Sequence, residues 1–105
     1  MMSINTPEEV KAAEQESGAV FLDVRSEDEV KAESLQARPF KHAKCTLDDS
    51  SELMSKAETL MPDKNAPVIV FCRSGRRAAK AKEVLEQMGY KKVLNAGGVK
   101  DMNYL

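Results

Sequence analysis

At 105 residues the chain can bury one modest hydrophobic core and not two, so residues 1–105 are read as one domain. Apolar residues make up 42% and charged residues 31%, and the formal net charge of -1 excludes the broad positive field that a general nucleic-acid or membrane-surface binder needs. No apolar run approaches the ~20 residues that span a bilayer, and Cys45 and Cys72 are too few for a disulfide framework. The start, Met1 to Glu9, has neither the basic head nor the apolar stretch of a secretory signal, so a cytoplasmic protein with free thiols is expected.

Thr6-Pro7-Glu8-Glu9 opens a first helix: Thr6 caps it, Pro7 takes the first helical position and Glu9 closes a capping box. The helix is predicted to end near Gln15–Ser17, stopped by Gly18, with Val10 and Ala13 inward; Ile4 upstream is a candidate short first strand. Ala19 to Arg25 is a nearly continuous apolar run, as in a strand buried on both faces of a parallel sheet. Ser26-Glu27-Asp28-Glu29 repeats the capping box and starts a second helix reaching roughly Glu33.

Leu35 to His42 has no clear period and is read as loop, and Ala43-Lys44-Cys45-Thr46-Leu47 alternates like a short strand. Asp48 to Ser51 offers several N-caps, after which Leu53, Met54, Ala57, Leu60 and Met61 recur at helical spacing until Pro62. The turn Asp63 to Pro67 leads into the strand Val68–Phe71. The next helix carries Ala78, Ala81, Val84, Leu85 and Met88 on one face and Lys80, Lys82, Glu83 and Glu86 on the other, and Gly89 ends it. Val93-Leu94 is a last short strand, Asn95-Ala96-Gly97-Gly98 a tight turn with positive φ, and Val99 to Leu105 a short helix or tail. Alternating strands and helices give an α/β domain with a mainly parallel sheet.

The stretch that carries chemistry is Cys72-Arg73-Ser74-Gly75-Arg76-Arg77, between the Val68–Phe71 strand and the helix after it. Open parallel sheets place ligand sites at that strand edge. A free thiol titrates near ~8.5, so a nucleophile working at neutral pH needs its thiolate stabilised. Unpaired amides and the dipole of the following helix point at such a position. Arg73, Arg76 and Arg77 add positive charge, and Gly75 lets the backbone curl its amides inward to hold an anion. Taken singly these are ordinary features of a strand end; together in six residues they mark a functional loop.

Leu22-Asp23-Val24-Arg25, the loop Cys72 to Ala78 and Asn95-Ala96-Gly97-Gly98-Val99 resemble the D-x-R strand end, C-x-x-G-x-R loop and G-G-[IV] turn of the single-domain rhodanese family of sulfurtransferases, in order and spacing from about Ile4 to Met102. The resemblance implies a three-layer α/β fold: a central, mainly parallel sheet of about five strands with helices on both faces. It implies that Cys72 is the catalytic nucleophile and persulfide carrier, taking a sulfane sulfur from a donor such as thiosulfate and passing it to cyanide or a thiol. Arg73, Ser74, Gly75, Arg76 and Arg77 would form the substrate- and persulfide-binding loop, their amides cradling the outer sulfur. Asp23 and Arg25 would brace the surroundings, although a buried ion pair or a capping role explains them equally well. The implied partners are a small anionic donor and a thiol, cyanide or protein acceptor, with no nucleic acid or membrane, no cofactor and no metal.

Two other readings stand beside this one. The domain would serve as a non-enzymatic persulfide carrier or docking module if turnover with small acceptors is negligible. Cysteine phosphatases and arsenate reductases are less apt: the phosphatases hold phosphate with an arginine six residues after the cysteine, where this chain has Ala78. His42, the sole histidine, is not needed as a base, since transfer to a thiolate abstracts no proton. The family's Gly-His-[IL]-x-Gly-Ala segment has only a partial counterpart in Arg38 to Ala43, with His42-Ala43 at its Gly-Ala. Cys45 is read as a buried strand residue, with a resolving thiol as the alternative, and Met54, Met61 and Met88 as core. Two cysteines and one histidine lack metal-ligand spacing.

Overall fold

The computed structural model describes residues 3–105; Met1 and Met2, the first residues of the stretch read for a signal sequence, lie outside the described residues. Strands β1 (Val20–Asp23), β2 (Lys41–His42), β3 (Val68–Cys72) and β4 (Val93–Gly98) form one parallel sheet in the order β2-β1-β3-β4. Helices α1 (Pro7–Glu14), α2 (Glu27–Ala32), α3 (Ser51–Leu60) and α4 (Arg76–Gln87) alternate with them, and a 3₁₀ turn at Val99–Asp101 follows β4. Among the described residues no helix is long and apolar enough to cross a membrane.

The central strand β3 is apolar throughout because both of its faces are covered. Val68, Val70 and Cys72 pack with Leu53 and Ala57 of α3 and Ala78, Ala81 and Leu85 of α4. Ile69 and Phe71 turn to the other face, toward Val10 and Ala13 of α1, Leu94 and Met102. Both capping boxes form: the Thr6 and Ser26 hydroxyls accept from the Glu9 and Glu29 amides, and each glutamate accepts from its cap's amide. Since all four strands are parallel, Asp23, His42, Cys72 and Gly98 end at a single edge of the sheet.

Several expectations change. The sheet has four strands among the described residues, not about five; near Ile4 the pairing is a single backbone hydrogen bond, from the Asn5 amide to the Asn95 carbonyl. The second strand comes earlier than read, at Lys41–His42, which pair with Leu22 and Asp23. Ala43 and Cys45 still donate to the carbonyls of Asp23 and Val24, so the expected segment does run along β1 without making a regular strand. Asn95 to Gly98 continue β4 instead of turning out of it; Gly97 alone of these has a positive φ, at 84°. Met54 faces solvent at 52% exposure, whereas Met61 is buried and Met88 half-buried. Lys80 and Lys82 are half-buried.

Candidate active site

Cys72 is the last residue of β3, and the register with β4 slips there so that Gly98 stands opposite it. Arg73 and Ser74 are exposed, and Gly75 caps α4 with φ 96°. A glycine cap has no side chain to satisfy the helix's first amides. The Cys72 sulfur takes that place: it accepts from the Gly75 amide at 3.0 Å and from the Ala78 amide, in the first turn of α4, at 3.4 Å. Sγ thus lies on the positive end of a twelve-residue helix. The second amide belongs to Ala78, one residue past the Arg73–Arg77 amides expected to cradle the sulfur. Cys72 itself is 1% exposed.

The loop's path is set from β4. Asn95, fully buried, donates through Nδ2 to the Gly75 carbonyl at 3.0 Å and accepts from the Gly97 amide at 2.9 Å. Its own amide donates to the Asn5 side chain at 2.8 Å. A Cβ on Gly98 would lie 2.1 Å from the Arg73 carbonyl oxygen, so the loop packs directly onto β4 where no side chain stands.

The remaining candidates divide. Asp23 and Arg25 form a buried ion pair at 2.7 Å at the end of β1, and Arg25 Nη2 also donates to the Glu33 carbonyl at 2.6 Å, just past α2. Neither makes a hydrogen bond to the Cys72 sulfur. Arg77 is paired, with Nη1 and Nη2 on the two Glu29 carboxylate oxygens at 2.7 and 2.9 Å. That guanidinium, with the Ser26 amide and hydroxyl, holds the Glu29 carboxyl down at a pKa of about 2. The Arg77 pKa is raised, first by its hydrogen bond with Glu29, with partial burial opposing and the Glu29 charge adding to the rise. Arg73 and Arg76 are exposed, and among the described residues neither has a carboxylate partner.

His42 donates through Nε2 to the Arg25 carbonyl at 2.7 Å, which assigns it to the backbone at the end of β1. Cys45 is fully buried, its thiol directed at the Thr46 carbonyl, and burial pushes that thiol's pKa up. It runs along β1 on the side away from β3. Cys45 and Cys72 are both free thiols in the same apolar cluster. A cleft of about 200 Å³ beside the loop is lined by Arg25, Glu29, Ala32, Glu33, Arg73, Val99 and Lys100. A larger one, about 410 Å³ and reached by His42, Lys44 and Glu52, includes no residue of the Cys72 loop. Among the described residues no group of three or more His, Cys, Asp or Glu side chains could hold a metal ion.

Sequence reasoning singled out the Asn95–Gly98 stretch without foreseeing that Asn95 and Gly98 hold the Cys72 loop, and it missed the second function of Glu29. The available signals were a polar residue after the apolar pair Val93-Leu94 and a glycine pair at the end of a strand. Nothing in the capping box itself announced that Glu29 also meets Arg77.

The model of the rhodanese-like domain matches residues 6–103. Over 51 residues, 49% of the chain and 49% of the relative, the sequence is 49% identical to the thiosulfate sulfurtransferase PspE of Escherichia coli; the match thus spans about half of that protein's length. A solved rhodanese with anions from E. coli superposes with a TM-score of 0.62 at 35% identity, over 81% of this chain and 92% of that one. The 30 kDa polysulfide-sulfur transferase homodimer of Wolinella succinogenes superposes with a TM-score of 0.68 at 29% identity, over 95% of this chain and 72% of that one.

Proposed function

Because the chain belongs to the rhodanese-like domain family, we propose that it is a sulfurtransferase that carries a sulfane sulfur as a persulfide on Cys72, with thiosulfate or a similar anion as donor. The Cys72 thiolate attacks the outer sulfur of thiosulfate; the S–S bond of the donor breaks and sulfite leaves with the electron pair. The product is Cys72–S–S⁻. A thiolate or cyanide then attacks the terminal sulfur, forms an organic persulfide or thiocyanate, and returns Cys72 as thiolate. Charge and atoms balance in both steps without an oxidant or cofactor.

The observation that carries this reading is the pair of amides, Gly75 and Ala78, directed at the Cys72 sulfur at 3.0 and 3.4 Å. Such donors favour negative charge on sulfur in the resting thiolate and in the persulfide alike. Arg73 and Arg76, exposed at the loop, supply the field that draws an anionic donor. Asp23, Arg25 and Asn95 position the loop and its neighbours and do not touch the sulfur. Phosphate chemistry fits less well, since Ala78 stands at the sixth position after the cysteine and Arg77 is tied to Glu29.

Incubation with thiosulfate followed by intact-mass measurement should add one sulfur, ~32 Da, to the wild type and nothing to Cys72→Ser. An unmodified wild type, or an equal adduct on the variant, overturns the proposal. Persulfide formation with negligible thiocyanate production, alongside rapid transfer to a protein thiol, assigns the domain to carrier duty instead of small-molecule turnover.

A further inference from the structure

Resting on the sulfur-transfer reading, we propose that Glu29 is a specificity-determining residue that sets how strongly the Cys72 loop selects donors by charge. Its carboxylate takes both outer nitrogens of Arg77, at 2.7 and 2.9 Å, and so removes one of the three loop cations from the field that a donor meets. The ion pair is only partly sheltered, the two side chains being 24% and 33% exposed, so the charge it cancels lies where an approaching anion would feel it. Arg77 immediately precedes Ala78, whose amide is directed at the Cys72 sulfur. With Glu29 in place an incoming anion is attracted by Arg73 and Arg76; without it, by three guanidinium groups. Glu29 therefore moderates the preference for highly charged donors over donors of low charge.

Glu29→Gln isolates this effect, because glutamine also closes a capping box with Ser26 and leaves α2 its N-terminal cap. Two donors with the same sulfonyl-type leaving chemistry and different charge serve as probes: thiosulfate, a dianion, and methanethiosulfonate, a monoanion. Coulomb attraction scales with donor charge, so at low ionic strength Glu29→Gln should raise persulfide formation about tenfold with thiosulfate and about threefold with methanethiosulfonate. Both gains should shrink in salt. Arg77→Gln should lower the rates in the same proportion, and the double variant should return near the wild type.

A general lesion of the loop would change both donors by one factor, so an unchanged ratio of the two rates in Glu29→Gln overturns the proposal. Alkylation of Cys72 by iodoacetate relative to iodoacetamide, read by peptide mass, tests the same charge without any sulfur transfer. That ratio should rise about threefold in Glu29→Gln. A rise without any persulfide in the wild type keeps the role of Glu29 and removes the sulfur-transfer reading. Persulfide formation with a flat alkylation ratio does the reverse.

Discussion

Gly98 and Gly89 separate two reasons for glycine in this chain. At Gly89, after α4, φ is 98° and the nearest neighbour of an added Cβ is 3.7 Å away, so alanine would meet backbone strain and little else. At Gly98 the added Cβ would overlap the Arg73 carbonyl oxygen at 2.1 Å, and a backbone atom cannot swing aside like the end of a lysine. Gly98→Ala should therefore cost about 2–4 kcal/mol, against about 1–2 for Gly89→Ala. Urea midpoints with unchanged m-values measure the difference. Gly98→Ala should also lose the thiosulfate adduct on Cys72, because the loop has to lift away from β4, while Gly89→Ala keeps it. Equal midpoints would remove the close-packing argument. The Cys72 loop was legible in sequence because its parts are contiguous, from the cysteine to the helix that follows. Asn95 and Glu29 were not, since their partners lie 20 and 48 residues away and only the folded sheet brings them together.

At the level of elements, α1 and α2 announced themselves through short-range chemistry, the Thr6–Glu9 and Ser26–Glu29 boxes, which the fold leaves as read. β2 did not: with two residues, one exposed and one half-buried, it has no pattern of its own and exists because Lys41 and His42 lie beside the end of β1. β4 misled for the opposite reason. Its Asn-Ala-Gly-Gly end has turn composition, yet the small residues serve to admit the loop against an extended strand. The Glu29–Arg77 pair between α2 and α4 gives the elements a pH dependence of known sign. The folded carboxyl, at about 2, lies below its ordinary 4.5, so its contribution is complete above pH ~4.5 and is lost as pH falls toward 2. With the pair partly exposed and screened, about 1–2 kcal/mol is expected. Acid titration of stability should show this loss in the wild type and lack it in Glu29→Gln. An identical acid limb in both proteins would mean that the pair is energetically silent.

Across the whole molecule the attachments of the helices differ in kind. α4 buries Ala78, Ala81, Val84 and Leu85 against the sheet, whereas α2 buries no side chain at all. A six-residue helix is marginal by itself, so α2 depends on polar ties at both ends. Ser26 and Glu29 cap its start, Arg77 holds Glu29 from the loop helix, and Arg25 bonds the Glu33 carbonyl beyond its last turn. Elements held this way open with less free energy than elements sealed by apolar area. Native-state hydrogen exchange should accordingly find the Val30 and Glu33 amides, which bond to the Ser26 and Glu29 carbonyls, opening well before the amides of Ala81 and Leu85. Glu29→Gln should lower the α2 opening energy further and leave α4 nearly unchanged, because α4 is held chiefly by its buried Ala78, Ala81, Val84 and Leu85. If α2 and α4 exchange at one common free energy, α2 is part of the cooperative core, and the loop's charge partner is as rigid as the sheet. If α2 opens first, the segment that neutralises Arg77 is also the segment that releases it most readily, and donor preference becomes sensitive to whatever holds α2 closed.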